Sequence, residues 1–312
     1  MNILSKLDLL NRRRLAQAIS LIESNTKEDQ ELGDAIINEL YQSHQHHNPP
    51  VIAITGAPGA GKSTFIDTFG GKLAESGYKI AVLAIDPSSS LSGGAILGDK
   101  TRMIHLARHT NVFIRPSPSG PDSLGGLSSK TEDIIHLLKA AAFDYIFIET
   151  VGVGQNEADV ALIADIVIML IPPTAGDELQ GIKKGNLEFV DLLIVNKFDG
   201  TSKNLARATA DEYQSALKSL NKKVILASAV DQTGLNQILT EIQTFSPTPH
   251  ALNKREKLLI RRIESVLFKE LASIPKVAQI WEETVQQSYP TRLKSKIFIE
   301  KLKNLLTSQQ SL

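Results

Sequence analysis

Gly56-Ala57-Pro58-Gly59-Ala60-Gly61-Lys62-Ser63 constrains this chain more than any other stretch, because it fits G-x-x-x-x-G-K-[ST] at every position. The apolar run Val51-Ile52-Ala53-Ile54-Thr55 leads into it, and a helix-compatible segment leaves it from Thr64. A strand that restarts as a helix after so short a loop must turn sharply, and the glycines accept φ/ψ values that other residues resist. Successive backbone N–H groups then face inward, and the new helix adds its positive N-terminal end. A phosphate chain fits such a cradle. Gly56 to Thr64 would line the nucleotide, with Lys62 reaching the β- and γ-phosphates and the Ser63 hydroxyl binding Mg²⁺. A plain glycine turn is the alternative, and the complete pattern in its strand–loop–helix setting argues against it.

Short β-branched runs alternate with helical stretches through the middle of the chain. The strand candidates are 51–55, 79–85, 112–115, 144–149, 166–171, 191–195 and 223–227. Most are nearly continuous apolar runs, as expected of strands buried on both faces of a parallel sheet. The alternation predicts an α/β fold of the P-loop NTPase kind, a doubly wound, mostly parallel sheet with helical N- and C-terminal extensions. Residues 1–47 read as a helical extension and linker, closed by polar residues and then Pro49-Pro50. Residues 48–247 read as the nucleotide domain, within which Pro116-Ser117-Pro118-Ser119-Gly120-Pro121 reads as a loop. Residues 248–312 read as a helical arm. Its stripes, Leu258, Leu259, Ile263, Val266, Leu267 and Leu271, then Ile297, Ile299, Leu302 and Leu305, must cover either the nucleotide domain or a second subunit. A homodimer is the expectation.

Composition removes several function classes. Thirty-four Lys+Arg balance 34 Asp+Glu, so no general electrostatic pull draws the chain to nucleic acid or an anionic membrane. The absence of cysteine excludes disulfides, thiol catalysis and Cys-ligated metal. The longest apolar run, Ile166 to Pro173, is too short to span a bilayer, and the N-terminus has no signal-peptide core. A cytoplasmic protein is expected.

Further site candidates fall at the predicted strand ends, where ligands bind in such sheets. Asn196-Lys197-Phe198-Asp199 follows Leu192-Leu193-Ile194-Val195 and has the N-K-x-D form of a guanine reader. Asp199 would accept bonds from guanine N1–H and the exocyclic amine, donors that adenine lacks there. Two such bonds at about 1.5–3 kcal/mol each allow roughly hundredfold discrimination or more. Lys197 would lay its alkyl stem along the base, and Asn196 would tie loops together. Ser228-Ala229 sits where a backbone N–H could meet guanine O6, a weaker signal. Glu149, at the tip of Tyr145-Ile146-Phe147-Ile148, with Gly152 three positions on, has the Walker B arrangement. The carboxylate would hold Mg²⁺ through water, and the Gly152 N–H would sense the γ-phosphate. Asp86 offers a second acid near the same metal, although both acids could instead cap helices. Ser92 to Arg102 is glycine-rich and reads equally as a surface loop or as a switch segment with Asp99 near the metal.

Together these residues resemble the GTPases that accompany methylmalonyl-CoA mutase, the MeaB/ArgK family. The likeness begins at Arg13-Arg14-Leu15-Ala16 and runs on through the P-loop and Ala84-Ile85-Asp86-Pro87-Ser88-Ser89. Its most specific parts are Gly93-Gly94-Ala95-Ile96-Leu97-Gly98-Asp99-Lys100-Thr101-Arg102-Met103, Glu149-Thr150-Val151-Gly152-Val153-Gly154-Gln155 and Gly176-Asp177-Glu178-Leu179-Gln180-Gly181-Ile182-Lys183-Lys184-Gly185. The resemblance implies a cytosolic, homodimeric G protein that binds GTP and GDP with Mg²⁺. It also implies a partner, a cobalamin-dependent acyl-CoA mutase whose cofactor delivery the protein gates and which it protects. By resemblance, Lys62, Ser63, Asp86, Asp99 and Glu149 form the phosphate, metal and catalytic site. Arg102 and Gln155 fall in switch segments, and Asp177, Glu178, Gln180, Lys183 and Lys184 in a loop that communicates with the mutase.

Slow GTP hydrolysis, accelerated by the partner, is the expected reaction, because the chemistry needs positioning and charge stabilisation more than a covalent nucleophile. No glutamine directly follows Gly152 to orient water, and Gln155 is a weak substitute. Three other readings remain at this stage, one of them a purely structural partner-binding protein with a dead nucleotide site. A metallochaperone GTPase could use His44, His46 and His47, which otherwise read as a solvated linker. An ATP-driven transport accessory or kinase is opposed by Asp199.

Overall fold

The computed structural model describes residues 9–246 except 10, 25, 43–46, 87–102, 119–128, 151–156, 174–186, 188 and 219–221; beyond 246 it describes scattered positions between 252 and 273, then 274–285 and 297–302. The chain divides into two compact units, Met1–Pro247 and Thr248–Leu312.

The first unit is built on seven strands: β1 (Val51–Gly56), β2 (Ile80–Asp86), β3 (Val112–Pro118), β4 (Tyr145–Glu149), β5 (Ile166–Ile171), β6 (Leu192–Val195) and β7 (Lys223–Leu226). They form one sheet in the order β3-β2-β4-β1-β5-β6-β7, with every neighbouring pair parallel. The apolar runs therefore form strands as expected, and β1, β5 and β6 are buried at every position. Side chains alternate between two cores because strand residues point to opposite faces. Val51 and Ala53 join a core with α1 (Arg12–Glu23), α2 (Lys27–Gln42), α4 (Ser129–Ala140), α5 (Glu157–Ile163) and α6 (Lys203–Leu217). Ile52 and Ile54 join the opposite core, with α3 (Lys62–Glu75) and α7 (Leu235–Gln243). The N-terminal helices thus contribute Leu15, Ala18, Ile19, Ile22, Ile36 and Leu40 to the same core as the sheet.

One expectation is corrected. Pro116-Ser117-Pro118 is not loop but the end of β3, with Pro116 opposite Ala84 and Pro118 opposite Asp86. The strand tolerates two prolines because it is the sheet edge, where alternate N–H positions face no partner.

Strand register is set at the amino edge of the sheet by three aspartates. Asp144, Asp165 and Asp191 each precede a strand. Each donates its backbone N–H to a carbonyl (Lys79, Val51 and Val167, all 2.8 Å). Each carboxylate accepts the N–H of that same residue, at 2.7, 2.8 and 2.9 Å. These reciprocal pairs tie β4 to the start of β2, β5 to β1 and β6 to β5. Because a one-residue slip would break both bonds of a pair and reverse which face each side chain meets, they fix the ladder.

In the second unit, α8 (Pro275–Val285) carries Trp281, whose ring meets Phe298 edge-on at 5.3 Å between centroids. Lys301 bonds Glu283 at 2.9 Å. Among the described residues, no helix is long and apolar enough to cross a membrane.

One charge is placed at a cost. Asp133 on α4 is half-buried, and burial together with Glu132 and Asp34 of α2 pushes its carboxyl up to about 6. A carboxyl raised in the folded state stabilises below its unfolded pKa, and that contribution is lost as pH rises through the folded value. Asp133→Asn should therefore be more stable than the unchanged chain at pH 7, by on the order of 1 kcal/mol once partial exposure is allowed for. The advantage should vanish near pH 4, as thermal melts at the two pH values would reveal.

Candidate nucleotide-binding site

β1 ends at Gly56 against β5, and the loop that follows turns into α3. Gly56 has φ +141°, and a Cβ there would lie 2.2 Å from the Leu170 carbonyl oxygen, so only glycine fits. Gly61 caps α3 in the left-handed region at φ 90° and makes no side-chain capping bond. The first turn of α3 carries no acid. Its N–H groups and positive dipole end are thus directed at the loop without a carboxylate competing for them, the arrangement that suits a phosphate.

Lys62 is buried, and its Nζ donates to the carbonyls of Gly56 and Ala57 at 2.8 and 3.2 Å. The ammonium is therefore held at the mouth of the phosphate loop. Ser63 Oγ donates to Glu149 Oε1 at 2.6 Å. Glu149 closes β4, which pairs directly with β1, with Ile54 opposite Glu149. Thr150, just beyond, fastens this strand end to β1 through its N–H and Oγ1, 3.1 and 3.3 Å from the Ile54 carbonyl. A hydroxyl from the first turn of α3 and a carboxylate from the end of β4 form an all-oxygen donor pair, which fits Mg²⁺. Asp86 ends β2 two residues past Ala84, itself opposite Glu149. The remaining metal and switch candidates, Asp99, Arg102, Gly152, Gln155, Asp177, Glu178, Gln180, Lys183 and Lys184, lie outside the described residues.

The base-reading candidates come together at the ends of β6 and β7. Asn196 is buried, and its Nδ2 donates to the Ala60 carbonyl at 3.0 Å, across to the phosphate loop. Its Oδ1 is buried with no partner among the described residues, leaving one acceptor in the seam between the two loops. Lys197 is exposed and takes φ 57°, a left-handed conformation that turns the chain between Asn196 and Phe198. Asp199 Oδ2 accepts from Ser228 Oγ at 2.6 Å, and Ser228 Oγ in turn accepts the Asp231 N–H at 2.9 Å. Ser228 and Ala229 are buried, and Ser228 is bridged to Thr233. Sequence reasoning expected Asn196 to tie loops together but did not foresee the Asp199–Ser228 bond, which pairs two motifs 29 residues apart. His47 Nε2 bonds the Phe143 carbonyl at 2.7 Å and so anchors the chain entering β1, while His44 and His46 lie outside the described residues.

Residues 15–274 match the family described as "Methylmalonyl Co-A mutase-associated GTPase MeaB". The chain belongs to this family. Among MeaB relatives, the mouse protein named "Methylmalonic aciduria type A homolog, mitochondrial" is 43% identical over 249 residues, 75% of this chain and 60% of that one. "GTPase ArgK" of Escherichia coli K12 is 40% identical over 262 residues, 82% of this chain and 78% of its own. A crystal structure described as that of an LAO/AO transport system kinase superposes with a TM-score of 0.73 at 29% identity, covering 96% of both chains. The chain thus spans under two thirds of the mouse relative's length.

Guanine recognition yields a substitution with a defined sign. Asp199→Asn keeps an acceptor for N1–H but turns a donor toward the exocyclic position, opposing guanine's amine and matching the carbonyl of xanthine. GTP affinity should fall by about a hundredfold, with xanthosine triphosphate binding in its place; equilibrium titration of both nucleotides measures this. Retained preference for GTP would exclude Asp199 from base reading.

Proposed function

We propose that this MeaB-family chain is a Mg²⁺-dependent GTPase, converting GTP to GDP and phosphate, that serves a cobalamin-dependent acyl-CoA mutase such as methylmalonyl-CoA mutase as chaperone and gatekeeper. The observation that carries the nucleotide part is the Asn196–Ala60 bond, which joins the phosphate loop and the base-reading loop into one cleft. The mutase partner rests on the family description and on the name of the mouse relative.

Within this reading, Lys62 leaves its loop carbonyls to pair with β- and γ-phosphate oxygens, and the N–H groups at the start of α3 hold the phosphate chain. Ser63 and Glu149, with Asp86, are the residues that would hold Mg²⁺, which when bound supplies charge neutralisation at the phosphates. Asp199 selects guanine, and Ser228 orients its carboxylate by donating to Oδ2. Lys62→Ala should lower GTP turnover by about a hundredfold or more. In the unchanged chain, turnover should rise when the mutase and cobalamin are added, as phosphate release measures. Normal hydrolysis by Lys62→Ala, or turnover indifferent to the mutase, would refute the corresponding half of the proposal.

The protein acts as a cytoplasmic homodimer in this reading. Leu259, Ile263 and Leu267 recur every four residues in the second unit, and each is about half exposed (51%, 50% and 56%). A second copy of the unit is the proposed cover. Ile263→Glu should shift the full chain from dimer to monomer in sedimentation while leaving GDP binding intact; a chain that is monomeric from the outset would rule the dimer out.

A further inference from the structure

At the end of α1 a buried acid sits against the helix's own electrostatics. Glu23 is the last residue of α1, where a negative charge meets the negative end of the helix dipole, and its side chain is only 11% exposed. It pairs with Arg115 of β3, accepts Ser117 Oγ at 2.7 Å, and shares Arg115 with Ser20 Oγ at 3.2 Å. Lys130 of α4 donates to the Glu23 and Ser24 carbonyls at 3.0 and 2.7 Å, adding to the Ser24 N–H bond to Leu21 that closes the helix. A partly buried ion pair in this setting is weak evidence of stabilisation, and its better-attested use is to fix one arrangement.

What it fixes follows from the ladder. β2 pairs with β4 only as far as Ala84 opposite Glu149. Among the described residues, the last two of β2, Ile85 and Asp86, pair with Ser117 and Pro118 of β3 and with no residue of β4. β3 is itself an edge strand, and the end of an edge strand opens at low cost unless something holds it. Glu23 grips two side chains there, one of them Ser117 in the rung beside Asp86.

We propose that Glu23 is a positioning residue for the metal end of the nucleotide site: from the end of α1 it holds the last β2–β3 rungs and thereby the backbone of Asp86. The proposal rests on the reading of Asp86 as a Mg²⁺ residue.

A Mg²⁺ titration of GTP turnover by the full chain tests it. Glu23→Ala should raise the Mg²⁺ concentration for half-maximal turnover about tenfold, the scale of loss seen when a ligand's outer support is removed. GDP binding measured without metal should not change. Glu23→Gln keeps an oxygen for Ser117 and should recover most of the shift. Ser117→Ala deletes only the strand-side bond and should move the titration the same way by less, which decides the matter should Glu23→Ala fail to fold. An unmoved titration in the folded variants overturns the proposal. So does a metal-free GDP affinity that falls by the same factor, since that marks a purely structural role. Asp86→Asn separates the two readings: if it leaves the titration unmoved, the metal reading of Asp86 fails and takes this proposal with it; if it moves the titration and the Glu23 and Ser117 variants do not, only the proposal fails.

Discussion

The close approach of Gly56 to the Leu170 carbonyl is the constraint on which the site depends. β1 is the central strand, and its last residue can stay in the β5 ladder only because it has no Cβ. From that point the chain leaves the sheet at φ +141°, and the loop to Gly61 acquires its direction. If Gly56 were any larger, β1 would be pushed from β5, and Ser63 would lose its alignment with Glu149 on the other side. The phosphate loop is therefore a consequence of how tightly three parallel strands pack, and not an attachment to their ends.

The two edges of the sheet hold themselves differently. At the amino edge, Asp144, Asp165 and Asp191 exchange two hydrogen bonds each with the residue they face, all within the first unit. Register is decided there, away from any ligand. At the carboxyl edge, apart from the double tie of Thr150 to Ile54, single side-chain bonds join separate elements: Ser63 to Glu149, Asn196 to Ala60, Ser228 to Asp199 and Glu23 to Ser117. Binding chemistry is thus collected at an edge whose geometry is already set from the far side.

Much of this was legible in the amino-acid sequence, for physical reasons that differ by element. Strands buried on both faces must be apolar throughout, so β1, β5 and β6 announce themselves. The P-loop turn was legible because backbone shape demands particular residues at fixed spacing, and the expected position of Asn196-Lys197-Phe198-Asp199 at a strand end agrees with its bonds to Ala60 and Ser228. β3 was read three residues short, since proline is a breaker everywhere except on an edge, and the edge position of β3 depends on strand order that local sequence does not carry. The three register-setting aspartates were missed for the same reason. Each stands one residue before its apolar run, a recurring signal, but its partner lies on a strand fixed only by the topology. Glu23 and Arg115, 92 residues apart, look like ordinary surface charges until α1 packs beside β3.

The carboxyl-edge bonds also explain how a folded chain can accept a nucleotide at little structural cost. Lys62 Nζ rests on two loop carbonyls, and Ser63 Oγ rests on Glu149. For Lys62 the donor is the group proposed for the phosphates and the acceptors are loop carbonyls, whereas Ser63 and Glu149 are both proposed for the metal. Because a protein hydrogen bond is worth only about 1 kcal/mol net, replacing one such bond by another to a phosphate oxygen is nearly free before charge is counted. The charge term then favours the ligand, since a phosphate offers an ammonium and a helix N-terminus far more than a neutral carbonyl does. In the proposed reading, the loop is organised before binding and exchanges the partners of Lys62 during it. Such an arrangement would serve the proposed GTP-to-GDP cycle, because neither nucleotide would require the core to be rebuilt.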